Sequence, residues 1–89
     1  MSTQDRAQFT PGPWEHKGYR VYRKGSYAVA WIEQQGPHSE WQANGKIIAA
    51  APAMYEALQV AQRYLKQCQG HDEEWQIVTD ALAQAEGRQ

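Results

Sequence analysis

The chain has a single cysteine and no long apolar run, and each shortage removes a class of protein. Cys68 alone excludes an intramolecular disulfide and fits a reducing compartment. The apolar runs of the chain, such as residues 47–51, are far shorter than the ~20 residues that cross a bilayer. The first residues lack the basic and apolar segments of a signal peptide. These features predict a cytoplasmic protein that does not enter a membrane.

The chain also lacks a large excess of either charge, because nine basic and ten acidic residues leave a net charge of −1. Residues 1–30 hold five basic and two acidic residues, whereas residues 31–89 hold four basic and eight acidic ones. Most of the positive charge lies in residues 16–24, and most of the negative charge follows Gly70. This balance is typical neither of a dedicated nucleic-acid binder nor of an acidic DNA mimic.

The residue types that enzymes and metal sites need do not occur in suitable patterns. The chain has no glycine-rich phosphate loop, no HExxH pattern and no Ser-His-Asp order. Cys68 and His71 are close in sequence, but His16 and His38 lie far away without the paired spacing of a zinc site. The acidic residues 72–74 fit the first turn of a helix. We therefore predict no enzyme activity, no catalytic residue, no metal and no cofactor.

A chain of 89 residues predicts one domain, residues 1–89, with a frayed polar segment at residues 1–9. Stability is expected at the low end for folded domains, so a dimer that buries more surface would be unsurprising. Four tryptophans occur in four different segments, which is typical of a core assembled from the whole chain: Trp14, Trp31, Trp41 and Trp75.

Alternation of aromatic or β-branched residues with polar ones predicts three strands, at residues 14–17, 19–23 and 27–33. Gly18 breaks the first strand, and Gly25 supplies the turn before the third. The third strand is apolar on both faces, which predicts a central position in the sheet.

Three helices are predicted at residues 39–51, 52–69 and 72–86. Ser39 and Gln42 fit a capping box, although a later start with Asn44 as the cap is an alternative. Pro52 lacks a backbone N–H and suits a first helical turn, so it separates the first two helices.

Apolar residues at helical spacing define the buried faces of the last two helices. In the second helix they are Met54, Leu58, Ala61, Leu65 and Cys68, which places the cysteine thiol in the core. In the third they are Trp75, Val78, Leu82 and Ala85. Asp72 is predicted to cap the third helix, and Gly70 to end the second.

The predicted fold is α+β, with a small antiparallel sheet over residues ~13–34 packed against helices over residues ~39–86. The second and third helices are expected to form an antiparallel hairpin, because the connection around Gly70 is short.

The best candidate for an interaction face lies in the basic aromatic hairpin at residues 16–27. Its members are Lys17, Arg20, Tyr22, Arg23 and Lys24. Cations neutralise phosphates and aromatic rings stack on bases, so this hairpin fits nucleic acid. It also fits a protein partner, or an ordinary solvated surface with lysine protecting the sheet edge.

Two segments resemble a family of small phage and prophage proteins. Residues 10–14 read TPGPW, and residues 43–58 read ANGKIIAAAPAMYEAL, close to the ANxxxIAAAPxMxEAL pattern of that family. The chain departs from the family at Gly45, where alanine is more frequent.

The resemblance implies a phage origin and the host cytoplasm, and accessory phage proteins of this size often act by binding another macromolecule. We expect a non-catalytic accessory protein whose partner is a protein or a second copy of itself. A weak nucleic-acid-binding module that uses residues 16–27 is the alternative.

Overall fold

The computed structural model describes residues 9–87. Within them, contacts group into two compact units, residues 9–53 and residues 54–87. We call these the sheet unit and the helix unit. Apart from Phe9, the predicted frayed segment lies outside the described residues.

The sheet unit contains a three-stranded antiparallel sheet in the order β1 (Trp14–Lys17), β2 (Arg20–Arg23), β3 (Ala28–Trp31). Lys17 pairs with Arg20 across a two-residue turn, in which Gly18 takes the left-handed φ of 62° that a tight hairpin needs. Gly25 has a φ of 78° in the second turn, where the Ser26 N–H donates to the Arg23 carbonyl. The three predicted strands are confirmed, although β2 and β3 are shorter than expected.

The prediction that the third strand lies centrally is wrong. The central strand is β2, whose Val21 is completely buried, and β3 is an edge strand. Trp31 on β3 is 63% exposed, so it is not the core residue that was expected. The Trp31 ring lies beside Tyr19 and Arg20 instead of being buried under a helix.

Helix α1 (His38–Ala49) begins earlier than predicted and without the expected capping box. Its N-cap is Pro37, whose carbonyl accepts from the N–H groups of Glu40 and Trp41, and no side chain caps the helix. Ser39 therefore lies inside the helix. The His38 ring meets the Trp41 ring edge to face at 4.4 Å, which provides a packing contact at the start of the helix.

Helix α1 packs against β1 and β2, and a glycine makes this approach possible. Gly45 is buried, and a Cβ atom built on it would lie less than 3.0 Å from three atoms of the His16 ring. The His16 Nε2 also donates to the Gly18 carbonyl at 2.8 Å, which holds the ring in place. With Val21 and Ile32, this contact forms the core of the sheet unit.

The predicted break at the proline is confirmed. Ala50 is the C-cap of α1, and α2 (Ala51–Gln67) begins at the next residue, so Pro52 occupies the first turn of α2. Pro52 is buried, and a Cβ added to Gly12 would lie 2.8 Å from the Pro52 Cβ. The turn at residues 11–13 thus lies directly against the proline ring.

The helix unit is an antiparallel hairpin of α2 and α3 (Asp72–Ala85). Two hydrogen bonds fix its register: Tyr55 Oη donates to Glu86, and Gln62 Nε2 donates to Thr79 Oγ1 at 3.0 Å. Leu82 is completely buried. The order of three strands and three helices confirms the predicted α+β class.

Several details of the predicted helix faces are wrong. Helix α2 ends at Gln67, and Cys68 is exposed rather than buried. Met54 and Ala85 are exposed as well. Two polar residues, Tyr55 and Gln62, lie on the face of α2 that meets α3. Tyr55 hydrogen-bonds to Glu86 at the end of α3, and Gln62 hydrogen-bonds to Thr79 within α3. Met54 and Cys68 lie outside this face.

The predicted cap of the third helix is also wrong. His71 is the N-cap of α3 and makes no side-chain capping bond, and Asp72 is the first helical residue. Asp72, Glu73 and Glu74 nevertheless occupy the first turn as expected, where the helix dipole favours negative charge.

Candidate functional site

One face of the sheet carries most of the predicted interaction residues. The side chains of paired residues on antiparallel strands point to the same side of the sheet. Glu15 pairs with Tyr22, and Arg20 pairs with Lys17 on one side and Trp31 on the other, so all five side chains share one face. His16 lies on the opposite side, against α1. We call the five residues Glu15, Lys17, Arg20, Tyr22 and Trp31 the outer face.

An aromatic and cationic cluster forms the centre of the outer face. The Arg20 Cζ lies 5.3 Å from the centroid of the Tyr22 ring and 5.9 Å from that of Trp31. On the other side of Trp31, the Tyr19 ring lies 5.5 Å away at an interplanar angle of 32°. Such cation–π and ring contacts hold these exposed side chains in place.

The charges of the outer face are unevenly compensated. Lys17 and Arg20 are direct cross-strand partners, an arrangement of like charges that destabilises a sheet. Glu15 accepts a hydrogen bond from the Tyr22 hydroxyl at 3.5 Å. Neither Lys17 nor Arg20 forms an ion pair with any residue between 9 and 87. The two cations are therefore available to an external anionic group.

The predicted interaction residues do not all share one face. Lys17, Arg20 and Tyr22 lie on the outer face, whereas Arg23 is in register with Trp14 and belongs to the side that α1 covers. Lys24 lies in the turn before β3 and is exposed. Continued strand alternation would place Lys24 on the same face as Arg20 and Tyr22, but β2 ends at Arg23.

Sequence reasoning missed Trp31 as a member of this face. Its exposure of 63% and its contacts with Tyr19 and Arg20 make it the largest exposed ring of the cluster. The sequence did contain a signal for an exposed Trp31, because the third strand is apolar on both faces and follows the cationic residues Arg23 and Lys24.

A shallow apolar groove lies beside β3, between the end of that strand and α1. Its volume is about 260 Å³, and it is lined by Trp31, Ile32, Glu33, Asn44, Ile47 and Ile48. Ile47 is 66% exposed at its rim. The groove is large enough for one apolar side chain of a partner, and it adjoins the outer face through Trp31.

Other chemistry finds little support in the described part of the chain. Between residues 9 and 87, no three His, Cys, Asp or Glu side chains converge to hold a metal ion. No helix in the same range has the length and apolar character needed to span a membrane.

Comparison with curated proteins and with solved structures gives no match. A family model, in contrast, matches the whole chain. It is described as Salmonella phage P22 protein Y8K6, and the match covers residues 1–89. The chain therefore belongs to this phage protein family, so the expectation that it is a member of a phage protein family is confirmed.

Proposed function

We propose that this phage protein is a non-catalytic accessory factor of the host cytoplasm, which binds an acidic and apolar segment of a protein partner on its outer face. The observation that carries the proposal is the juxtaposition of Lys17 and Arg20 beside the exposed Trp31. The repulsion between Lys17 and Arg20 and the exposure of the Trp31 ring are both unfavourable in the free protein, and a bound partner would relieve both.

The two cations support an acidic partner. Like charges directly opposite each other on a sheet destabilise it by roughly 0.2–1 kcal/mol relative to neutral pairs. A carboxylate bound between Lys17 and Arg20 removes this repulsion and gains two charge-assisted hydrogen bonds. Because Arg20 is fixed between Tyr22 and Trp31, little side-chain entropy is lost on binding.

The aromatic residues support an apolar component in the partner. Tryptophan, tyrosine and arginine are the residues most enriched among binding hot spots, and Trp31, Tyr19 and Arg20 form one contiguous group. The groove between Trp31 and Ile47 offers a place for an apolar side chain next to the acidic contact. A segment that combines both kinds of residue fits this surface better than a uniformly charged one.

Single-stranded nucleic acid is the second candidate, because exposed rings beside unpaired cations also suit stacked bases and phosphates. One feature favours the protein partner. Arg20 lies over the Tyr22 ring and so already covers one of the two ring faces on which a base would stack.

The first experiment is affinity capture from host lysate with three baits and one control bait, followed by titration of the captured protein. The baits are the wild type, the variant Trp31→Ala and the variant Arg20→Glu. Loss of a hot-spot contact is expected to weaken binding by about 30-fold or more in each variant. Lys66→Glu, a charge reversal at an exposed position of α2, is the matched control and should bind like the wild type.

The second experiment titrates single-stranded oligonucleotides at several salt concentrations. We expect little binding even at low salt. Tight binding that falls by ~0.7 log units per log unit of salt for each phosphate contact would instead identify a nucleic-acid module. If the Arg20→Glu bait retains every partner of the wild type, the outer face is not the binding surface.

A further inference from the structure

A second apolar stripe runs along α2, on the side away from its hairpin partner. Its members are Ala53, Ala57, Val60 and Tyr64, spaced by four, three and four residues. All four are exposed, with Val60 at 43% and Tyr64 at 67%. Their spacing is that of the seam along which two helices pack in a coiled coil.

We infer that α2 is the interface of a symmetric dimer, in which the α2 helices of two copies pack antiparallel along this stripe. In a symmetric interface, a residue of one copy contacts a different residue of the other, and the reverse contact also occurs. The stripe must therefore match itself when it is turned end to end. Both its side-chain sizes and its charges do so.

The sizes match because each large residue meets a small one. When Ala57 of one copy lies opposite Val60 of the other, Tyr64 lies opposite Ala53 at the start of the partner helix. The two alanines leave room for the valine and the tyrosine, as alternating large and small residues do in packed helical seams. A parallel arrangement would instead place Tyr64 against Tyr64 and leave a gap between the alanines.

The charges match in the same register. Glu56 and Arg63 are both exposed and lie seven residues apart, on the same flank of the stripe. In an antiparallel pair, residues of this flank face each other across the interface, so Glu56 of each copy meets Arg63 of its partner. Two equivalent ion pairs result. In a parallel pair, the two flanks that meet are different, and these ion pairs do not form.

The same features argue for a second copy rather than another protein. Glu56 and Arg63 flank the stripe with opposite charges, so a second copy of the same helix in the antiparallel orientation supplies the matching charge at each position. Met54, which is 45% exposed, faces Ala61 of the partner on the opposite flank and extends the apolar contact. The 17 residues of α2 provide a contact about 25 Å long. This interface is separate from the outer face of the sheet and goes beyond the proposed function.

Sedimentation equilibrium tests the dimer directly, over protein concentrations from about 1 µM to about 1 mM, the range of weak to moderate affinity. The wild type is expected to show a monomer–dimer equilibrium. Tyr64→Glu should raise the dimer Kd by about 30-fold or more, because it replaces the largest apolar side chain of the seam with a charge. Ile77→Glu is the matched control, since Ile77 is 64% exposed on α3, and it should leave the Kd unchanged.

A charge exchange tests the register. Glu56→Arg and Arg63→Glu each place like charges opposite each other twice, and each should raise the Kd by about 5- to 30-fold. The double variant restores both ion pairs with their signs exchanged, and its Kd should return close to that of the wild type. Because all of these positions are exposed, circular dichroism should show the same helix content in every variant.

The single native cysteine allows the orientation to be measured. Cys68 is exposed just beyond α2, so a spin label attached to it is expected about 30 Å from its counterpart in an antiparallel pair. A distance near 10 Å would identify a parallel pair and overturn the inference. A wild type that stays monomeric at the highest concentration would also overturn it, as would a double charge variant no better than the single ones. Arg20→Glu should dimerise normally, so failure of the outer-face proposal leaves this result unaffected.

Discussion

Replacing Gly45 by alanine is expected to destabilise the protein, although alanine is the better helix former. Gly45 lies inside α1, where glycine disfavours a helix by about 1 kcal/mol relative to alanine. Propensity alone therefore predicts a gain in stability. The added Cβ, however, would lie less than 3.0 Å from three atoms of the His16 ring, closer than packed carbon atoms approach.

The contact decides the sign. Forcing extra volume into a packed site costs about 1–3 kcal/mol. If the His16 ring moves away instead, its hydrogen bond to the Gly18 carbonyl is lost, which costs about 0.5–1.5 kcal/mol. Set against the helical gain of about 1 kcal/mol, the overpacking cost leaves a net loss of up to about 2 kcal/mol in the free energy of unfolding. For a chain of this size, the melting temperature should fall by up to about 16 °C.

The assay is thermal and urea unfolding of four proteins: the wild type, Gly45→Ala, His16→Ala and the double variant. Without the imidazole ring, alanine at position 45 should stabilise the protein by about 1 kcal/mol, so the effect of Gly45→Ala changes sign between the two backgrounds. Asn44→Ala is the matched control, because Asn44 is exposed on the same helix and gains propensity without a clash. A stabilised Gly45→Ala variant in the wild-type background would show that His16 does not approach the helix as described.

Three further predictions concern α2 and α3. Leu82→Ala should destabilise the protein by ~2–5 kcal/mol, because Leu82 is completely buried. Leu58→Ala should cost clearly less, because Leu58 is only half-buried, and equal melting temperatures of the two variants would contradict this order. Cys68 should react with a thiol reagent nearly as fast in native protein as in denaturant, and strong protection would place it in a core or interface. Pro52→Ala should change stability only modestly, since Pro52 lies in the first turn of α2, and a gain near 3 kcal/mol would indicate a proline inside a continuous helix.

The features that the sequence predicted correctly are those that depend on local chemistry. The missing N–H of Pro52 acts on its own turn, so the break between α1 and α2 is independent of tertiary contacts. Gly18 and Gly25 adopt left-handed backbone angles at the two hairpin turns, and the alternating residues between them form β2. The α+β class follows from these signals alone.

The features that the sequence did not predict depend on partners distant along the chain. Period-two alternation cannot distinguish a central strand from an edge strand, so the exposure of Trp31 depends on where α1 packs. The buried face of α2 includes Gln62 because Thr79 lies opposite it, and this polar pair leaves Cys68 outside. At Gly45, the sequence suggests a weakened helix, whereas the His16 ring requires the absence of a side chain.

The contact between Gly12 and Pro52 has a consequence for chimeras of this family. These residues belong to the two motifs on which the resemblance rests, yet they are 40 positions apart in the chain, and even a methyl group on Gly12 would lie 2.8 Å from the proline. A crossover between residues 12 and 52 would join a turn from one parent to a proline from another, with neither shaped for its new neighbour. A crossover after residue 58 keeps both halves of the contact, and the whole of the second motif, in one parent. Functional chimeras should therefore have junctions in α2 rather than in the sheet, and the two motifs should be exchanged as one piece.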